Sequence, residues 1–348
     1  MTKNNLEPLS PADGVEMYLE ARRDDLSQPT LKAQKYRLAA FVQWCKEEDI
    51  ENLNELSGRA LYRYRVWRRE GNGEGRDEIA PVTLRGQLST LRSFLRFCEE
   101  VDAVKDGLRS DVPLPTLSTG ENVSDTTLEP ARAEEILDYL DRYEYASRNH
   151  VILLLMWHTG ARAGAIRSLD LEHLDLDNDH PGIRFCHNPA EDTPLKNKEK
   201  SERWNSVSPH VARVLQDYID GPRENVQDEY GRNPLITTTH GRASISAVRT
   251  TLYRVTRPCW RGAGCPHDRD IETCEATESA HMSKCPSSRS PHDARSGRVT
   301  AYRRDDVPRR VVSDRLDASE DILDEHYDRR SAREKAEQRR DYLPDSGQ

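Results

Sequence analysis

Apolar residues Leu84, Leu88, Leu91, Leu95 and Cys98 recur at three- and four-residue intervals across 82–99. That spacing puts them on one helix face and predicts a helix with a buried stripe. Arg85, Arg92 and Arg96 form a second stripe beside it. Upstream, Ser10 followed by Pro11 reads as a helix start with proline in the first turn. A second helix is expected from about Thr30, with Leu31, Leu38, Phe41, Val42 and Cys45 on one side. Gly71, Gly73 and Gly75 mark a loop. The segment 9–110 therefore reads as a helical domain. Residues 111–127, rich in Pro, Ser, Thr and Gly and without periodicity, read as a linker.

Beyond it, the pattern predicts helices at Pro130–Leu140 and Asn149–Trp157 and a turn at Thr159-Gly160. Gly182–Cys186, Arg203–Val207 and Leu235–Thr238 have strand length, and Pro209–Ile219 and Ser244–Arg257 read as helices. A Cys-rich, loop-like insertion follows at 258–290, then helices at about 292–304, 308–316 and 320–327. The expected fold is mainly α with a small β-sheet, the second domain running from 128 to 348.

The longest apolar run, Val151–Trp157, is far short of the roughly 20 residues of a membrane span. The N-terminal stretch lacks a signal-type apolar core, and a cytoplasmic location is expected. The net charge of −9 argues at first sight against a nucleic-acid partner. Its distribution argues otherwise. Arginine outnumbers lysine 42 to 10, favouring the side chain whose planar fork grips phosphate. Five arginines and no acid lie between Arg59 and Arg69, interleaved with Tyr62, Tyr64 and Trp67. Arg59, Arg63, Arg65, Arg85, Arg92 and Arg96 are the candidate phosphate contacts; a merely solvated face is the plain alternative.

Cys259, Cys265, Cys274 and Cys285 lie within 27 residues, with His267 and His281 nearby. They supply enough soft ligands for a tetrahedral structural zinc, although the spacing is not the Cys-x2-Cys of a common finger. Cysteines that pack or stay free are the alternative.

Four further segments carry the functional reading. TGARAGAIRSLDLEHLD at 159–175 resembles the first arginine box of the tyrosine recombinases, and PLKNKEKSERWNSVS at 194–208 resembles that family's lysine hairpin. SPHDARSGRVTAY at 290–302 resembles the second box, and VVSDRLDASEDILDEHYDRR at 311–330 the terminal box with the nucleophilic tyrosine. The Pro-His-x-x-Arg and His-Tyr-Asp-Arg-Arg segments look especially like integrases of halophilic archaea. The resemblance runs from roughly residue 9 to 330 and follows the family's order.

The resemblance implies a helical core-binding (SAM-like) DNA-binding domain at 9–110 and a catalytic tyrosine recombinase domain at 128–348. It implies cleavage and rejoining of duplex DNA through a 3′-phosphotyrosine at Tyr327, with integration or excision as the outcome. Arg162 and Arg295 would bind the reacting phosphate, Lys196 (or Lys198 or Lys200) would protonate the leaving oxygen, and His292 would relay the phenol's proton. No cofactor is expected for catalysis, and the partners expected are duplex DNA, a homo-tetramer on paired sites and an accessory DNA-bending protein. A cleavage-defective DNA-binding regulator and a topoisomerase-like relaxase are the rival readings. Two positions depart from the family: Ala165 replaces a frequent glutamate, and Ala318 replaces the histidine of Leu-Gly-His nine residues before the tyrosine. His326 is a candidate substitute for the latter.

Overall fold

Helix α4 (Pro81–Glu100) buries Leu84, Leu88, Leu91, Leu95 and Cys98, the stripe its periodicity predicts. The computed structural model describes residues 6–71, 78–118 and 126–320, with single positions at 323, 333 and 336. The chain divides into two compact units, Met1–Asn122 and Val123–Gln348.

In the first unit α4 packs against α1 (Pro11–Ala21), α2 (Gln28–Glu47) and α3 (Gly58–Arg69). Ser10 caps α1 by accepting from the Asp13 amide, with Pro11 in the first turn. The core is aromatic: Phe41 meets Tyr64 edge-on at 5.4 Å, and Tyr18 meets Phe94 at 5.7 Å. Such pairs add about 0.5–1.5 kcal/mol each beyond their burial. Residues 111–118, read from sequence as linker, include the buried Val112, which belongs to this core.

In the second unit, α6 (Arg148–Thr159) buries every residue from His150 to Trp157. An all-round apolar helix must be enclosed, and α5 (Pro130–Tyr143), α8 (Pro209–Asp220), α9 (Ile245–Val255) and α10 (Pro291–Arg304) surround it. A short α7 (Ala163–Arg167) follows α6, and α11 (Arg309–Leu316) follows α10. Three antiparallel strands, β1 (Leu174–Asp175), β2 (Gly182–Phe185) and β3 (Arg203–Ser206), form a sheet in that order, with Ile183 opposite Asn205.

The strand expected at Leu235–Thr238 does not join that sheet. Only β4 (Thr237–Thr238) is regular, paired with β5 (Gly241–Arg242) in a separate hairpin. Leu235 instead donates its amide to the Leu169 carbonyl at 2.8 Å, bracing the turn after α7. Arg242 reinforces that brace by binding the Arg167 carbonyl and the carboxylates of Asp170 and Asp228. Among the described residues no helix is long and apolar enough to cross a membrane. The helix expected at 320–327 falls almost wholly outside the described residues.

His150, in the first turn of α6, is 1% exposed, and its Nδ1 accepts from the Ala146 amide. Burial pushes its pKa down to about 4, and burial followed by Arg315 and Arg298 does the same for His158. Between pH 4 and 6.5 the unfolded chain therefore binds protons that the folded chain refuses. The histidines' contribution to stability is complete above pH 6.5 and is lost as pH falls toward 4, by about 1.4 kcal/mol per pH unit for each. In a His150→Asn variant the dependence of Tm on pH in that window is expected to weaken. An unchanged slope would count against a buried neutral His150.

Candidate active site

The end of α6 sets the geometry. Thr159 Oγ1 donates to the Leu155 carbonyl and accepts from the Ala161 amide, closing the turn. Gly160 then takes φ 63, and a Cβ there would lie 2.7 Å from Leu316 Cγ. Glycine serves both the left-handed conformation and the close approach of α11. Arg162 follows as N-cap of α7. Its Nη1 donates to Asp317 twice, at 2.6 Å to Oδ2 and 3.0 Å to the carbonyl.

The 290–302 segment forms α10, started by a reciprocal capping box between Ser290 and Asp293 with Pro291 in the first turn. His292 is exposed on that turn. Arg295, three residues on and so on the same face, is 1% exposed. Its Nη1 donates at 2.6 Å to both the Gly160 and Leu316 carbonyls, and its Nη2 lies 3.5 Å from the Asp317 carbonyl. This one guanidinium ties the α6 turn to the end of α11. Thr126 and Leu128 bind Asp293 from the other side.

The lysine hairpin supplies the third wall. Lys196, Lys198 and Lys200 are all exposed, and Lys198 has φ 57. Lys196 lines a cavity of about 230 Å³ together with Arg162, Ser201, Arg203 and Asp317. Lys200 lines an adjoining one of about 420 Å³ with Asn197, Arg203, Asp317 and Ala318. Asn197 Nδ2 donates to Asp317 Oδ1 at 2.9 Å, and Ser201 Oγ donates to Oδ2 at 2.7 Å. Arg203, at the start of β3, stacks 4.2 Å from the Phe185 ring centroid and donates to the Arg315 carbonyl. Burial pushes its pKa down to about 10; Asp317 opposes that shift, and Arg295, Arg162 and Arg315 add to it.

The structure thus brings Arg162, Arg295 and Lys196 around one point. Sequence reasoning missed that the point is occupied by Asp317, and missed Asn197, Ser201 and Arg203 beside it. The signal lay in the register: with Ala318 at the family's histidine, Asp317 stands at the glycine of Leu-Gly-His. It adopts φ 55 there, a conformation that Asp tolerates better than most residues. Ala318 itself is buried in a small cluster with Val299, Tyr302, Leu316 and Leu323. Tyr327 and His326 lie outside the described residues.

Two of the expected residue sets make other contacts in the structure. Arg85, which is exposed, donates to the Pro115 carbonyl, and the half-buried Arg92 donates twice to the Val112 carbonyl. They fasten the chain after α4. Arg63 pairs with Glu48 at 3.2 Å and Arg65 is half-buried, whereas Arg59 and Arg96 are exposed. The zinc set is not assembled. Of Cys259, Cys265, Cys274, Cys285, His267 and His281, no three bring ligand atoms within 4.8 Å of one another. His267 instead bonds Ser287, Arg132 binds the Thr256 and Ser287 carbonyls, and Arg257 binds the Ala276 carbonyl. Arginine–carbonyl bonds hold the insertion, and these residues do not fit a tetrahedral metal as they stand.

Residues 16–100 match the phage integrase N-terminal SAM-like domain. The second unit gathers its boxes as described. Tyrosine recombinase XerC of Pseudomonas putida (strain W619) is 29% identical over 167 residues, 47% of this chain and 52% of the relative. The Tn1549 transposon integrase, solved with a circular intermediate DNA, aligns over 95% of this chain and 99% of that chain, with a TM-score of 0.65 and 11% identity, a likeness of fold. The chain is thus similar to tyrosine recombinases in its N-terminal domain, in part of its sequence and in fold. The chain spans about half the length of the curated relatives it matches. The N-terminal domain of a phage integrase/site-specific recombinase from Haloarcula marismortui is 35% identical, covering 31% of this chain and 99% of that one at a TM-score of 0.29. That alignment is too partial to carry the narrower likeness to integrases of halophilic archaea, which rests on the sequence segments alone.

Proposed function

We propose that this chain is a tyrosine recombinase, a site-specific enzyme that cleaves and rejoins duplex DNA through a 3′-phosphotyrosine at Tyr327. The observation that carries the reading is the convergence on Asp317 of Arg162 and of Asn197 and Ser201 from the lysine hairpin at its carboxylate, with Arg295 facing its main-chain carbonyl. A site that binds a carboxylate with a guanidinium, an amide and a hydroxyl suits the non-bridging oxygens of a phosphodiester.

In the proposed step, the Tyr327 oxygen attacks the scissile phosphorus and the bond from phosphorus to the 5′ oxygen breaks. A free phenol has a pKa of about 10 and is a weak nucleophile at neutral pH, so His292 accepts its proton. Arg162 binds the charge that builds on the phosphorane oxygens, and Arg295 holds the α6 turn and the end of α11 in register around it. Lys196, on the cavity wall, delivers a proton to the departing 5′ oxygen, with Lys198 and Lys200 on the same hairpin as alternatives. The phosphotyrosine keeps the energy of the broken bond, and attack by a 5′ hydroxyl reverses the step without ATP.

Duplex DNA is the proposed partner, gripped in part by the exposed Arg59 and Arg96 of the first unit, with four copies acting on paired sites and an accessory DNA-bending protein as the further expectation. The test is covalent trapping on a nicked suicide duplex. The wild-type chain is expected to form the adduct, and Tyr327→Phe is expected to bind the duplex without forming it. DNA binding with no adduct from the wild-type chain would favour the cleavage-defective regulator, a reading that the buried, apolar Ala318 at the histidine position supports. Relaxation of supercoils without a specific site would favour the topoisomerase-like one.

A further inference from the structure

The Asp317 carboxylate is held as a ligand is held. Arg162 Nη1 and Ser201 Oγ reach its Oδ2 at 2.6 and 2.7 Å, and Asn197 Nδ2 reaches its Oδ1 at 2.9 Å. Its side chain is 11% exposed, and it borders both cavities of the site. The donors come from positions 116 to 155 residues away in the chain, so the pocket is made by the fold rather than by local turns around Asp317. Arg203 lies on the same cavity wall.

A carboxylate and a phosphodiester present the same thing to such donors: two oxygens sharing a negative charge, geminal on one atom. We propose that Arg162, Asn197 and Ser201 form the pocket for a backbone phosphate, and that Asp317 is a built-in anion filling it until a phosphate displaces it. The inference rests on the recombinase reading for its ligand but adds two contacts, Asn197 and Ser201, and a self-blocking residue. Rotation of Asp317 about its side-chain bonds withdraws the carboxylate from Arg162, Asn197 and Ser201 without moving α11, because Arg295 and the second contact of Arg162 are made to its main-chain carbonyl.

The consequence is competition. If the closed arrangement holds about nine-tenths of the molecules, apparent affinity for the entering anion is lowered about tenfold, and removing the internal anion restores it. Asp317→Asn keeps the shape and tolerates the left-handed backbone, and Asp317→Gly fits it without strain.

Two probes separate a free anion from a DNA backbone: inorganic phosphate, followed by calorimetry, and a duplex carrying a nick, followed by binding and adduct formation. Asp317→Asn and Asp317→Gly are expected to bind inorganic phosphate about tenfold more tightly than the wild-type chain. Adding Arg162→Ala, or Asn197→Ala with Ser201→Ala, is expected to abolish the gain. The same single variants are expected to bind the duplex more tightly, with a log-affinity against log-salt slope steeper by roughly 0.9. Unchanged phosphate affinity, or a gain that survives loss of the donors, overturns the proposal. A gain for phosphate without one for the duplex restricts the pocket to free anions and overturns the DNA part. Should both Asp317 variants fold poorly, the wild-type chain decides: the Asp317 carboxyl ¹³C resonance is expected to move on saturation with phosphate, and a static resonance overturns the proposal. Phosphate binding as expected with no adduct from any variant sinks the recombinase reading and leaves the pocket standing. An adduct without the phosphate effects does the reverse.

Discussion

Arg162→Ala is expected to lower the rate of DNA strand cleavage by roughly 10²–10³-fold, the usual cost of losing one preorganised donor to a developing oxyanion. Arg162 is half-buried at the mouth of the site, and among the described residues its guanidinium binds Asp317. Its loss removes a charge aimed at the pocket without opening the apolar core, and Tm is expected to fall only by what the ion pair to the largely buried Asp317 carboxylate contributes. Arg295→Ala is expected to reduce cleavage at least as much, but through a different physical route. Its Nη1 satisfies two buried main-chain carbonyls, and each such group left unpartnered costs about 1–3 kcal/mol. Cleavage and Tm should fall together in that variant. Single-turnover cleavage of a nicked duplex, read beside a thermal melt of each variant, separates the two roles. An Arg162→Ala chain that cleaves at the wild-type rate would place that arginine outside the chemistry.

Gly297→Ala is expected to be the most damaging single methyl in the second unit. A Cβ at Gly297 would fall well inside contact distance of the Leu128 carbonyl and 3.2 Å from Trp157. Neither neighbour yields easily. Leu128 is pinned by the hydrogen bond its N–H donates to the Asp293 carbonyl, and Trp157 is buried in the central helix. Overpacking of this kind costs about 3 kcal/mol or more, a fall in Tm of roughly 6–12 °C for a unit of this size. Because α10 carries His292 and Arg295, the displaced helix should also lose cleavage activity. A Gly297→Ala chain that melts like the wild type would mean that α10 does not pack on residues 126–128 in this way.

Much of the fold was legible because helices announce themselves by periodicity. The stripe from Leu84 to Cys98 and the cap at Ser10-Pro11 each follow from local chemistry. The strand at Leu235–Thr238 was misread because an apolar run of that length records burial and not pairing. Leu235 and Ile236 are fully buried, yet the amide of Leu235 goes to the Leu169 carbonyl and not to a sheet. The arginines were harder. Arg85 and Arg96 share a helix stripe, but the chain after α4 folds back to offer carbonyls to Arg85 and Arg92, and nothing in the spacing reports that return. Asp317 was invisible for a related reason. One more acid in an acidic stretch becomes a ligand only when three donors from distant segments meet it.

The central claim is that Tyr327 makes the bond to DNA, and the most direct measurement is peptide mapping of the trapped adduct. The wild-type chain is incubated with a nicked suicide duplex carrying a heavy label beside the scissile phosphate, digested, and the DNA-linked peptide sequenced by mass spectrometry. The account predicts a single modified residue, Tyr327, with no adduct from Tyr327→Phe. A label found on Tyr342 or any other residue, or an adduct that persists in Tyr327→Phe, would contradict it.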